Sequence, residues 1–201
     1  MIRVLFVCTG NMHRSALAER LLAARLGPGS AVRPESAGTG ARHRSGMDPA
    51  TRRVLEELGG DGEGFASRPL TEELVGEAGL VLGLAREHRE AAVRISPLAM
   101  RRCFTLKEFV RLADGASGDV VAEAAARRGL VGAVPGPEDE VEDPWGQPLD
   151  VLRACAQEVD RAVTLLAGLL DPASGLLDAG SGLVDPASAR TLSGVAAGRL
   201  F

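Results

Sequence analysis

The sequence predicts an α/β fold, an open four-stranded parallel sheet with helices on both faces. Three observations point there. Short apolar runs rich in β-branched residues alternate with stretches of helical spacing, and Gly and Pro fall where one pattern gives way to the next. The first apolar run also ends in a polar, glycine-containing loop that leads straight into a helix.

The run from Ile2 to Val7 has the composition of a strand buried on both faces, and Cys8-Thr9-Gly10-Asn11 closes it. Ala16, Leu17, Leu21, Leu22 and Leu26 then recur at helical spacing until Gly27-Pro28-Gly29 stops them. A second short strand is expected at residues 31–36, and Asp48-Pro49 starts an amphipathic helix through Val54, Leu55 and Leu58 that Gly59-Gly60 ends. Thr71-Glu72-Glu73-Leu74 has the form of a helix start ahead of a third strand at Leu80-Val81-Leu82. Cys103-Phe104-Thr105-Leu106 supplies the fourth strand. The last long helix is predicted from about Leu149 to Leu170, with Leu152, Val159, Val163, Leu166 and Leu170 on its buried side.

Residues 1–170 are accordingly assigned to one domain. Within it, residues 112–142 hold an Ala-rich helix (Val120 to Arg128) inside a Gly, Pro and acid-rich connection, an insertion or lid-like loop. Residues 171–201 form a Gly, Ala and Ser-rich tail in which Asp171-Pro172-Ala173-Ser174 recurs as Asp185-Pro186-Ala187-Ser188.

With 45% hydrophobic and 25% charged residues among 201, the chain has the balance of a globular protein. Its net charge of -4 offers no basic footprint, so nucleic acid is not an expected partner, although all but one of the 23 basic residues are arginine. No stretch approaches a membrane span, and the opening apolar run is too short for a secretion signal. Cys8, Cys103 and Cys155 are an odd, widely spaced set that forms no disulfide framework, and a reducing cytoplasm is the expected compartment. No cluster has metal-ligand spacing, and neither metal nor cofactor is expected.

The chemistry is concentrated in Cys8-Thr9-Gly10-Asn11-Met12-His13-Arg14-Ser15. A cysteine at the end of a first parallel strand stands where α/β sheets bind ligands. The helix N-terminus and the successive N–H groups of residues 9–14 form a concave nest suited to phosphate oxygens, and the same partial positive charge favours the anionic form of sulfur at Cys8. Gly10 admits backbone angles that other residues resist, and Asn11 tolerates the left-handed region. Arg14 can fold back over the loop and grip two phosphate oxygens, and Ser15 can donate a hydrogen bond to the sulfur. The Gly-Lys-Ser/Thr ending of a nucleotide-binding loop is absent.

At these residues the sequence resembles the low-molecular-weight protein tyrosine phosphatase family, whose signature is Cys, five residues, then Arg-Ser, directly after the first strand. The resemblance continues through Ala18-Glu19, Ser36-Ala37-Gly38-Thr39, Ser67-Arg68-Pro69-Leu70-Thr71-Glu72-Glu73-Leu74 and Phe104-Thr105-Leu106-Lys107-Glu108 to Asp143-Pro144-Trp145. It implies a three-layer sandwich of the phosphotyrosine protein phosphatase I type. It also implies Cys8 as nucleophile, Arg14 with the loop amides as stabilisers of the transferring phosphoryl group, and Asp143 as the partner acid. Thr9, Gly10, Asn11, Met12, His13 and Ser15 would contact substrate, with Arg42 and Trp145 at the pocket walls. Ser36, bonded to Asn11, would support the loop together with Ser15.

Each role has a plainer reading. Cys8 alone would be a core thiol, Asp143 a turn residue before proline, Ser36 a strand-end turn residue and His13 a solvated side chain whose charge, if present, would favour anionic sulfur. Cys103 and Cys155 read as core packing.

Three departures from the family matter. His13 stands where many relatives have a second cysteine able to bridge to the nucleophile, Ala16 replaces a proline, and Phe65 replaces a histidine that braces the loop. Tyrosine-specific relatives also line the slot with aromatics where this chain has Arg42 and Trp145-Gly146, and it contains no tyrosine. The leading expectation is therefore a cytoplasmic phosphatase acting on protein phosphotyrosine through a phosphocysteine, with inorganic phosphate as product. Protein-arginine phosphatase is the alternative, favoured by Phe104-Thr105-Leu106-Lys107-Glu108 and opposed by Met12, where that branch carries threonine. Arsenate reductase ranks third, because Cys103 and Cys155 lie far apart, and a catalytically silent phosphate-sensing module is the non-enzyme reading.

Overall fold

A computed structural model describes residues 1–130 and 136–172. The elements in chain order are β1 (Ile2–Cys8), α1 (Arg14–Arg25), β2 (Val32–Gly38), β3 (Arg44–Ser45), α2 (Pro49–Glu57), β4 (Ala66–Ser67), α3 (Glu72–Glu77), β5 (Leu80–Gly83), α4 (Arg86–Ile95), β6 (Cys103–Thr105), α5 (Leu106–Ala113), α6 (Val120–Arg127) and α7 (Leu149–Leu170). The sheet order is β2-β1-β5-β6, with every pair parallel, as the sequence predicts.

Strand β1 explains why the sheet carries helices on both faces. Its side chains alternate, so Val4, Phe6 and Cys8 join the core formed with α1, α5 and α7, while Leu5 and Val7 join a smaller core under α3 and α4. All of Val4, Leu5, Phe6 and Val7 are fully buried. Because β1 pairs with β2 on one side and β5 on the other, the chain reverses its direction of travel across the sheet at β1. The carboxyl end of β1, where Cys8 is aligned with Gly38, is thus the topological switch point.

Several local features differ from expectation. Leu106 does not extend the fourth strand: Thr105 caps α5, accepting from the Glu108 N–H while the Glu108 side chain accepts from the Thr105 N–H, a reciprocal box that stops β6 at Thr105. Strand β2 begins one residue later and ends two residues later than residues 31–36. The small antiparallel pair of β3 and β4, which meet across the intervening α2, has no periodic signal, being two residues on each side. Helix α6 forms within residues 112–142, with Ala124 buried in the core and Val120, Val121 and Ala125 packed against it, and arginines at its end add further ties. Arg127 donates to the carbonyls of Leu112 and Asp114, and the Arg128 guanidinium lies 3.7 Å from the Phe104 ring centroid while donating to the Cys103 carbonyl. The Gly, Ala and Ser-rich tail, with both copies of its Asp-Pro-Ala-Ser repeat in whole or part, lies outside the described residues from 173 onward. No described helix is long and apolar enough to cross a membrane.

Candidate active site

The loop between β1 and α1 is held from outside by β2 and the residues after it. Thr39 and Gly40 donate their N–H groups to the carbonyls of Cys8 and Thr9, each at 2.9 Å. Gly38 allows that approach: a Cβ there would lie 2.5 Å from the Thr9 carbonyl oxygen and 2.8 Å from the Asn11 nitrogen. With its first carbonyls occupied, the loop keeps the N–H groups of Gly10, Met12 and His13 unbonded to protein among the described residues. The first turn of α1 adds its own free N–H groups and carries no acidic side chain. An anion is what such a concavity takes.

The conformational burden of the turn falls on Asn11, at φ +50°, not on Gly10. Gly10 is not in the left-handed region, and a Cβ there would make only ordinary contacts with Met12, the nearest at 3.7 Å. The strained angle is supported by the Asn11 side chain, which is completely buried. Its Nδ2 donates to Ser15 Oγ at 3.0 Å and to Ser36 Oγ at 2.8 Å, and its Oδ1 accepts from the Arg68 N–H at 2.9 Å. Ser36 Oγ in turn donates to Glu19, whose carboxyl is pushed up by burial. Ser15 Oγ accepts from Asn11, and its single proton has two acceptors within reach, Cys8 Sγ at 3.0 Å and the Ala37 carbonyl at 3.5 Å, of which the sulfur is the nearer. The Asn11 N–H also points at that sulfur, at 3.3 Å. The donation diverges from the Asn11 amide, one hydrogen going to Ser15 Oγ beside Cys8 and the other to Ser36 Oγ, which passes its own proton toward Glu19.

Arg14 is 4% exposed and spans the cavity. One terminal nitrogen donates to the Val141 carbonyl at 3.2 Å and the other to Asp143 Oδ2 at 2.6 Å. Asp143 reaches the site because the Val141 N–H is bonded to the Leu84 carbonyl just beyond β5, pinning the loop, and because Asp143 Oδ1 accepts the Trp145 N–H across Pro144. Its side chain remains 48% exposed, open to a ligand. Cys8, Thr9, Gly10, Met12, His13, Arg14, Asp143 and Trp145 together line a cavity of about 240 Å³.

Residues 3–123 match the family model described as low molecular weight phosphotyrosine protein phosphatase. The chain belongs to this family. It is 32% identical over 165 residues to the protein-arginine-phosphatase of Geobacillus stearothermophilus, covering 82% of this chain and 93% of that protein. It is 33% identical over 172 residues to the low molecular weight protein-tyrosine-phosphatase of Streptomyces coelicolor, covering 83% of this chain and 93% of that protein. The solved structure of the YwlE arginine phosphatase from Geobacillus stearothermophilus aligns with a TM-score of 0.67 at 30% identity, over 88% of this chain and 97% of that one.

Within this low-molecular-weight phosphatase, Arg42 is exposed and absent from the residues lining the cavity, and its backbone carbonyl accepts from Ser67 Oγ. The antiparallel pair of β3 and β4, invisible in the sequence, puts Arg44 opposite Ser67. Phe65 is buried with the Arg20 guanidinium 5.5 Å from its ring centroid. His13 bonds through Nδ1 to Thr51 and packs against Trp145, ring centroids 5.8 Å apart. Burial pushes its imidazole down, opposed by the carboxylates of Asp48 and Asp143, so the ring favours the neutral form and the cationic role open to it from sequence is not favoured.

His88 was not legible as a site residue. It lies in the first turn of α4, 1% exposed, with Nε2 3.0 Å from Thr9 Oγ1. Only the topology, which places β5 beside β1, brings it there. Burial, with the Arg14 charge second, pushes its imidazole down to about 4. The folded protein therefore binds this proton more weakly than the unfolded chain, whose value is about 6.5. The resulting stability is present above about pH 6.5 and lost as pH falls toward 4, amounting to about 3 kcal/mol. Urea unfolding at stepped pH should show this loss in the parent protein and not in His88→Gln. Equal slopes in the two would refute the assignment.

Burial also raises the thiols of Cys103 and Cys155, to about 11 and about 12. Thiols held protonated are poor resolving nucleophiles. Peroxide-treated protein should therefore lack a disulfide at Cys8, and a Cys8 to Cys103 or Cys155 bridge in nonreducing peptide mass spectra would contradict this.

Proposed function

We propose that this phosphatase hydrolyses phosphotyrosine in proteins, with Cys8, Arg14 and Asp143 as its catalytic residues. The observation that carries the reading is the convergence of an anion cradle, a sulfur receiving two donors, and a half-exposed carboxylate on one small cavity. In the first step Cys8 sulfur attacks phosphorus, the bond from phosphorus to the phenolic oxygen breaks, and Asp143 gives that oxygen its proton. Loop N–H groups and Arg14 hold the three equatorial oxygens as charge redistributes. In the second step water attacks the phosphocysteine, Asp143 takes a proton from it, and inorganic phosphate leaves with the thiolate restored.

Substrate choice rests on the walls. The Met12 side chain and the Trp145 ring, which is 65% exposed, provide apolar surface suited to an aryl group entering above the phosphate. Protein-arginine phosphatase is a second reading, favoured by the arginine-phosphatase relatives and by the Asp143 carboxylate, an acceptor that a guanidinium would also find. Phosphotyrosine and phosphoarginine peptides of one sequence separate the two, and the expected result is a higher kcat/KM for phosphotyrosine. The reverse order would transfer the assignment. The partner in either case is a phosphorylated protein, and three unpaired cysteines support a cytoplasmic setting.

A further inference from the structure

We propose that His88 is a positioning residue that turns the hydroxyl of Thr9 into a side-chain donor to the bound phosphoryl group, by giving its own Nε2 proton to Thr9 Oγ1. The inference rests on residues 8–15 being the phosphate cradle, and goes beyond it by adding a donor the loop backbone does not supply.

Hydrogen-bond geometry selects the tautomer. Two oxygens flank Nε2: Thr9 Oγ1 at 3.0 Å and Glu87 Oε1 at 3.4 Å. A carboxylate oxygen only accepts, so its presence favours a proton on Nε2. Nδ1, by contrast, is buried with no hydrogen-bond partner among the described residues. A proton there would be an unsatisfied buried donor, whereas a bare lone pair is the less costly vacancy. A ring that remains neutral, as its burial next to Arg14 dictates, carries one proton and thus places it on Nε2.

The consequence lies in Thr9. Its hydroxyl has one proton, and His88 is its only hydrogen-bond partner among the described residues. Once Oγ1 accepts from His88, that proton has no use within the protein. Thr9 lines the cavity directly after Cys8, and its main chain is fixed by the Gly40 N–H, so the hydroxyl stays at the cavity wall. A phosphoryl oxygen is the acceptor that site will meet.

The main chain of His88 is fixed in the first turn of α4, its backbone N–H donating to the Ala85 carbonyl at 3.1 Å, and the ring is enclosed at 1% exposure. Glu87 is largely exposed and Arg14 and Asp143 belong to the site; these are the charged groups that act on the ring.

Nitrogen-15 shifts of the His88 ring at neutral pH, in protein without substrate, should report a neutral ring protonated on Nε2. The Nδ1-protonated tautomer or an imidazolium would overturn the proposal whatever the kinetics. Kinetically, Thr9→Val and His88→Leu should each lower kcat/KM roughly 10-fold and weaken inhibition by inorganic phosphate in step. The double variant should lose no more than either single one. His88→Gln, whose amide nitrogen occupies about the place of Nε2, should recover most of the loss. Multiplicative losses, unchanged phosphate inhibition, or a Gln variant as poor as Leu would each refute the role. If His88→Leu fails to fold, Thr9→Val and the ring shifts still decide. An inactive Cys8→Ser protein alongside fully active Thr9 and His88 variants would sink this inference alone and leave the catalytic loop standing.

Discussion

Cys8→Ser should lower turnover of an aryl phosphate by roughly 10⁶-fold, the scale seen when an essential nucleophile is removed, while phosphate binding survives. The two contacts on Cys8 Sγ explain both halves. Ser15 Oγ and the Asn11 N–H are donors, and donors stabilise an anion without removing a proton. A thiol ionises readily enough to use that arrangement, and its anion is intrinsically nucleophilic. A serine hydroxyl needs a base, and the atoms bonded at this position offer none. The cradle does not depend on sulfur, since Asn11 remains held by Ser15, Ser36 and Arg68. Initial rates with an aryl phosphate, together with calorimetric titration of inorganic phosphate, test this. A serine variant that turns over at a substantial fraction of the parent rate, or one that no longer binds phosphate, would be incompatible with the site described.

How much of this site could be read in advance follows from where its interactions run. The loop was legible because its chemistry is local: strand end, cysteine, Asn11 and Arg14 lie within one short stretch, and helix geometry alone directs the rest. Asp143 was legible through the Asp-Pro-Trp pattern at the end of a long connection, although its distance to Arg14 depends on the Val141 to Leu84 bond, which no local pattern encodes. His88 was not legible. It sits in a helix whose Glu87-His88 pair reads as an ordinary solvated turn, and it becomes buried only because the strand order puts α4 beside the loop. Gly10 and Asn11 were both open to unusual backbone angles from the sequence, and tertiary hydrogen bonds to the Asn11 side chain decide that Asn11 takes the left-handed one. The sheet was legible because burial on both faces makes β1 and β5 continuous apolar runs. Docking of α6 was less so, since its small apolar face of Val120, Val121, Ala124 and Ala125 is supplemented by arginines that reach carbonyls and an aromatic face.

Asp143→Asn should lower kcat by about 10²- to 10⁴-fold with a phosphotyrosine peptide and, in the opposite direction, tighten binding of inorganic phosphate. The carboxylate now sits 2.6 Å from Arg14, so it occupies a guanidinium nitrogen that a bound phosphate would use and opposes the anion with its own charge. An asparagine removes the repulsion and weakens the competition, since its amide oxygen accepts from Arg14 without a charge. It also removes the only carboxylate lining the cavity among the described residues, and with it the proton for the leaving oxygen and the base for the attacking water. The loss should shrink with leaving groups that depart as stable anions, because those need no proton, and there the slow step becomes hydrolysis of the phosphocysteine. Rapid-quench mass spectrometry of the variant with such a substrate should accordingly find the enzyme phosphorylated on Cys8. A merely structural role predicts none of this: kcat would fall equally for good and poor leaving groups, phosphate would bind more weakly as Val141 and Arg14 lost their alignment, and no phosphoenzyme would accumulate.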